Sequence, residues 1–179
     1  MDYLRAGWRI GQPEGHGGDG LVYADIAPEP GSTLFEAIEQ SSLPEEQTYI
    51  VRRSTHSFAI LNVFPYNSGH LMVLPRVASA SIDALTRDQY QDLWELVRQA
   101  TVAVKAGLQP DGLNVGINEG LAGGGSVPDH LHVHIVPRWR TDTNFITTTA
   151  NARVLPVTLA ETWAILGAHW PSEPVGSDL

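Results

Sequence analysis

The chain has 179 residues, a formal charge of −9 and no cysteine. That length supports one domain with a sizeable core. The negative balance excludes a general nucleic-acid binder, which needs a basic face for phosphates. Without cysteine there are no disulfides and no thiolate metal site, and a reducing cytoplasm is the expected compartment. No apolar stretch is long enough to span a membrane, and the segment from Met1 to Arg5 lacks the layout of a secretory signal.

Residues 1–44 read as an irregular N-terminal extension, and residues 45–179 as the folded domain. Gly11 to Gly20 carries five glycines and a proline, the composition of a loop. Leu34 to Ile38 reads as a short helix. Thr48 to Val51, Phe58 to Leu61 and Gly69 to Leu74 read as strands, the last following a turn at Pro65 to Gly69. Thr86 opens a long helix with a capping box to Gln89, and Gly107 ends it. Tyr90, Leu93, Trp94, Val97, Thr101 and Val104 are expected on its buried face. Leu113 to Asn118 is a fourth strand. Pro156 to Leu166 is a final helix, with Pro156 in its first turn. Five short strands with one long helix between the third and fourth fit an α+β domain with a mainly antiparallel sheet.

The fifth strand carries the chemistry. Asp129-His130-Leu131-His132-Val133-His134-Ile135-Val136 alternates imidazole with branched apolar side chains. A period of two puts His130, His132 and His134 on one face and Leu131, Val133 and Ile135 on the other. Packing alone does not explain three histidines so ranked. A metal site is one reading, and a surface that handles phosphate is the other. The preceding loop favours phosphate. It holds Asn118 and the run Gly123-Gly124-Gly125-Ser126, a source of exposed N–H and hydroxyl donors for an anion.

His130 to Val136 resembles the histidine-triad (HIT) motif, His-φ-His-φ-His-φ-φ with φ apolar. A second block, Ser57 to Pro75, resembles the nucleoside-binding half of HIT proteins through its Asn62…Pro65…Gly69-His70 spacing. The resemblance covers roughly residues 45 to 165. It implies a half-barrel sheet, a homodimer, and a nucleotide or dinucleoside polyphosphate substrate. It implies that His132 attacks the α-phosphorus to form a nucleotidyl-histidine, with His130 and His134 orienting it and contacting phosphate oxygens. Gly125, Ser126 and Asn118 would bind phosphate, and Asn62 the ribose hydroxyls. Ile60 would pack on the base, while His70 and Trp139 would line or cover the site. No tightly bound cofactor is expected; Mg²⁺ or Mn²⁺ would enter only with the substrate.

Two departures from the family pattern matter. Many HIT proteins carry a zinc-binding Cys-x-x-Cys near the N-terminus. Here Ser32 and Phe35 stand at those places, and Arg76-Val77-Ala78 replaces the histidine often found after the Pro75 position. No structural zinc is expected. Where many hydrolases of the superfamily have a glutamine before the triad, this chain has Ser126, which leaves room for a second anion. Gly-Gly-Ser, with Pro137-Arg138-Trp139 and Asp142-Thr143-Asn144-Phe145, looks most like the bacterial diadenosine tetraphosphate phosphorylase-like branch. Inorganic phosphate is then the expected second acceptor, giving ADP and ATP. The alternatives are a hydrolase of dinucleoside polyphosphates or nucleoside phosphoramidates, and a nucleotide-binding protein with little turnover.

Overall fold

The computed structural model describes residues 26–124, 127–140, 142 and 157–172. Helix α1 (Leu34–Gln40) and a single turn α2 (Glu45–Thr48) lead into strands β1 (Ile50–Arg53), β2 (Ser57–Leu61) and β3 (Leu71–Pro75). The long helix α3 (Arg87–Leu108) precedes β4 (Gly112–Ile117) and β5 (Val133–Arg138), and α4 (Leu159–Ala168) follows. The five strands form one sheet, in the order β1-β2-β3-β5-β4, with every neighbour antiparallel. The expected α+β fold with a five-stranded antiparallel sheet is the observed one.

Strand alternation divides the sheet into two faces. On one, Ala59, Leu61, Leu71, Val73, Val133 and Ile135 pack with Leu93, Leu96, Val97, Ala100, Ala103 and Val104 of α3. On the other, Ile50, Phe58, Ile60, Met72 and Leu74 cluster with Ile38 of α1, and Ile26, Leu34 and Phe35 pack against them. Register places Ile60 opposite Met72, Met72 opposite His134, and His134 opposite Gly116. His134 therefore stands on the α1 side of the sheet, and α3 closes the opposite side.

Three helices begin with the same device. Thr33 caps α1 with Glu36, Thr86 caps α3 with Gln89, and Thr158 caps α4 with Glu161, each in a reciprocal capping box. The final helix thus starts at Leu159, after its Thr158 cap, and Pro156 lies outside the described residues. The buried face of α3 is also turned from the expected one. Leu96, Ala100 and Ala103 are buried, whereas Tyr90 is exposed and Thr101 only half-buried. Small alanines let the helix lie close to the sheet, so they occupy the seam in place of larger side chains.

The turn into β3 needs its glycine. Gly69 has φ +75°, and a Cβ there would lie 2.2 Å from Leu108 Cδ1 and 3.2 Å from Pro137 Cγ. No other residue type combines that backbone conformation with that clearance. The close approach draws the start of β3, with His70, against the end of β5.

Candidate active site

Four histidines meet at the junction of β3 and β5. His70, His130, His132 and His134 are each 7% exposed or less. The strand proper begins at Val133, so His134 lies on β5 while His130 and His132 stand on the segment leading into it. Their side chains still converge. The His132 and His134 rings lie 4.7 Å apart, edge to face, and the His70 and His134 rings 5.1 Å apart.

Hydrogen bonds assign the protons. Nε2 of His130 lies 2.8 Å from the Pro75 carbonyl oxygen. A carbonyl only accepts, so Nε2 carries the hydrogen. In the neutral ring Nδ1 then accepts, and the Thr33 hydroxyl, 2.6 Å away, donates to it. Burial pushes the His130 pKa below the ordinary histidine value. The Pro75 hydrogen bond and the Glu36 charge oppose that shift, and His132 adds to it. His130 is thus held neutral with both ring nitrogens engaged, and neither is left for a phosphate oxygen.

His132 is held differently. Its Nδ1 lies 2.8 Å from the backbone carbonyl oxygen of His130. Nδ1 must therefore be the N–H, and in the neutral ring Nε2 keeps an unshared lone pair. That is the tautomer a nitrogen nucleophile needs.

His134 is bracketed. Its Nδ1 is 2.9 Å from His70 Nε2, and its Nε2 is 3.4 Å from the side-chain amide of Asn118. On the far side of His70, Nδ1 accepts from the Tyr66 backbone N–H at 3.1 Å and lies 3.3 Å from the Asn62 amide nitrogen. Asn62 Oδ1 meanwhile caps the following turn, accepting from Phe64 N–H at 2.9 Å. Asn62, His70 and His134 thus form one line of contacts from the end of β2 past the start of β3 to β5, with the Asn118 amide nitrogen 3.4 Å beyond it at the end of β4.

The remaining expected site residues are placed as follows. Ile60 is 1% exposed within the cluster under α1, so its side chain offers a nucleobase no open surface. Trp139 is half-buried past the end of β5, where its backbone N–H donates to Asp142. Gly125 and Ser126 lie outside the described residues. Among the described residues, no three His, Cys, Asp or Glu side chains are grouped to hold a metal ion. Beside His130 stand the Thr33 hydroxyl and the Phe35 ring, a donor set without thiolates that does not suit zinc.

Several contacts at the site were not foreseen from the sequence. The Phe35 ring lies 5.5 Å from the His130 ring and 5.8 Å from that of His132. Tyr66 lies 4.5 Å from His70 and 5.6 Å from His134, the latter nearly parallel. Thr33 and Glu36 hold His130 and the Ala78 N–H. The Thr33-x-x-Glu36 spacing signals a helix start in the sequence, but its contact with a residue 97 positions away does not show there.

The HIT domain matches residues 44–141, more than half of the chain. This chain belongs to the HIT family. It is 36% identical over 157 residues to the AP-4-A phosphorylase of Mycobacterium tuberculosis, covering 86% of this chain and 80% of the relative. It is 33% identical over 86 residues to the bis(5'-adenosyl)-triphosphatase of Dictyostelium discoideum, covering 48% of this chain and 57% of that one. Among solved structures it is similar to a zinc-bound histidine triad family protein from Mycobacterium smegmatis. That match has 25% identity and a TM-score of 0.63, and covers 77% of this chain and 92% of the other. The HIT fold and the phosphorylase-like likeness expected from the motifs are both found. Among the described residues, no helix is long and apolar enough to cross a membrane.

Proposed function

We propose that this HIT protein is an enzyme that cleaves dinucleoside polyphosphates through a nucleotidyl-histidine, with inorganic phosphate as the second acceptor. The observation that carries the reading is the 2.8 Å contact from the His130 carbonyl to His132 Nδ1, which leaves Nε2 as the lone-pair nitrogen. A protein that only binds nucleotides has no need of that tautomer. The likeness to a phosphorylase across 86% of the chain supports the acceptor.

In the first step Nε2 of His132 attacks the α-phosphorus. A P–N bond forms, the bridging P–O bond breaks, and its electron pair leaves with the polyphosphate. His134 stands beside His132 and Asn118 beside His134, and both supply N–H groups toward the phosphate oxygens. Gly125 and Ser126 add donors from the loop, and Asn62 takes the ribose. In the second step an oxygen of inorganic phosphate attacks the same phosphorus, and the P–N bond breaks to restore His132. Diadenosine tetraphosphate then gives ATP from the first step and ADP from the second. Water in place of phosphate gives ATP and AMP, the hydrolase outcome.

Three further parts of the proposal rest on the sequence and on β4. No structural zinc is held at the Ser32–Phe35 segment, and the protein works in the cytoplasm. A second copy adds to the sheet at β4, an edge strand whose Val115 is 43% exposed. Chromatography of the products from diadenosine tetraphosphate tests the function. ADP with ATP, in amounts that rise with added phosphate, is the expected result. ATP with AMP at a rate indifferent to phosphate would show a hydrolase.

A further inference from the structure

The tautomer of His132 depends on one peptide plane, and that plane is held from outside the motif. The carbonyl of the unit joining His130 to Leu131 accepts from His132 Nδ1 at 2.8 Å. The N–H of the same unit, on Leu131, donates to the Ser79 carbonyl at 2.6 Å. If the plane turned over, it would offer His132 an N–H instead of a carbonyl, and the hydrogen on Nδ1 would lose its acceptor.

Both flanks of this plane are tied to two side chains at the start of α1. On one flank the Thr33 hydroxyl donates to His130 Nδ1 at 2.6 Å, while Pro75 O takes the opposite nitrogen at 2.8 Å. Bonds at opposite corners fix the ring, and with it the residue that supplies the carbonyl. On the other flank Glu36 Oε1 accepts from Ala78 N–H at 2.9 Å, next to the residue whose carbonyl holds Leu131. The Glu36 side chain also holds the residue that carries the hydroxyl, since its Oε2 accepts from the Thr33 backbone N–H at 2.8 Å. The Phe35 ring between them lies against His130 and His132.

We propose that Thr33 and Glu36 are positioning residues that hold the 130–131 peptide plane and so select the Nδ1–H tautomer of His132. Neither touches the reacting atoms. Thr33 stands 97 positions from His130 in the sequence, so the clamp on the nucleophile comes from outside the triad strand. The kinetic part of this proposal rests on His132 being the nucleophile; the tautomer part does not.

The test reads both. Long-range ¹H–¹⁵N spectra of histidine-labelled protein report the tautomer of each ring, with His132 assigned by the signals lost in His132→Asn. Steady-state kinetics with diadenosine tetraphosphate run beside them. Thr33→Val keeps the shape and removes the hydroxyl. Glu36→Gln leaves one accepting atom where the carboxylate has two. Both are expected to mix the Nε2–H tautomer into His132 and to lower kcat roughly tenfold, with KM within about twofold. Thr33→Ser restores the hydroxyl and is expected to restore both readouts. Thr158→Val removes the matching cap from α4 and controls for lost helix stability; its kcat and tautomer are expected to equal the wild type. If Thr33→Val does not fold, Glu36→Gln carries the test alone. A single Nδ1–H tautomer with wild-type kcat in the Glu36 and Thr33 variants overturns the clamp, and so does an equal loss in Thr158→Val. Turnover by His132→Asn would overturn the nucleophile and leave the tautomer measurement to decide the clamp.

Discussion

Nε2 of His70 lies 2.9 Å from Nδ1 of His134, and the direction of that hydrogen bond is set by the backbone. The Tyr66 N–H can only donate, so His70 Nδ1 accepts it and, with the ring neutral, the His70 hydrogen sits on Nε2. His70 therefore donates to His134 Nδ1, and the hydrogen of a neutral His134 sits on Nε2. One backbone amide thus fixes two rings in series, and it sets the His134 Nε2–H 3.4 Å from the Asn118 amide nitrogen, a second donor that cannot accept from it.

Breaking that series should lower the rate without disturbing His132. His70→Leu removes the donor and is expected to cost roughly ten- to a hundredfold in kcat. His70→Gln places an amide N–H near the lost Nε2 and is expected to keep most of the activity. Equal losses in the two variants, measured by steady-state kinetics, would mean that His70 acts by filling space.

Acid should destabilise the fold through His130. Its pKa is lowered in the folded state, first by burial, so below about pH 6.5 the unfolded chain binds a proton that the folded chain resists. Stability is then full above that pH and falls as pH drops toward the folded value. Glu36 adds a second loss at lower pH. Burial raises its pKa, but hydrogen bonds from Ala78 and Thr33 outweigh burial and set it below the usual carboxylate range. Thermal melts between pH 8 and pH 4 should show Tm falling first below pH 6.5. A His130→Gln protein should lack that first fall, and one that kept it would assign the effect to another group.

Much of the fold was legible because the strands alternate cleanly and Thr86 to Gln89 announces α3. The first strand starts later than its sequence pattern implies. Glu45 to Thr48 close a helical turn, and Tyr49 takes a left-handed conformation at φ 57° before β1 starts at Ile50. The triad was legible as a motif, and its tautomers were not. Those depend on Thr33, Pro75, Tyr66 and His70, which only tertiary packing brings to the three rings. Ile60 shows the limit of face arguments. It shares a sheet face with the histidines, as its spacing requires, yet α1 and its neighbours close over that part of the face.

Metal content follows from the side chains beside His130. Ser32 and Phe35 offer no thiolate, so purified protein should carry no stoichiometric zinc after dialysis. Elemental analysis giving about one zinc per chain would contradict this and would require ligands other than those expected in the family pattern.

The acceptor should respond to the volume at Ser126. Replacing it with glutamine crowds the space for a second anion, so Ser126→Gln is expected to shift the products of diadenosine tetraphosphate from ADP toward AMP. An unchanged ADP to AMP ratio at fixed phosphate would remove this loop position from the choice of acceptor.

Trapping the intermediate tests the central claim most directly. Wild-type protein mixed with diadenosine tetraphosphate without phosphate, quenched within milliseconds and digested, should yield a peptide carrying adenylate on His132. His132→Asn should yield none, and its turnover should fall below about a thousandth of wild type. An unmodified His132 peptide throughout turnover, together with an active His132→Asn protein, would contradict covalent catalysis at this residue.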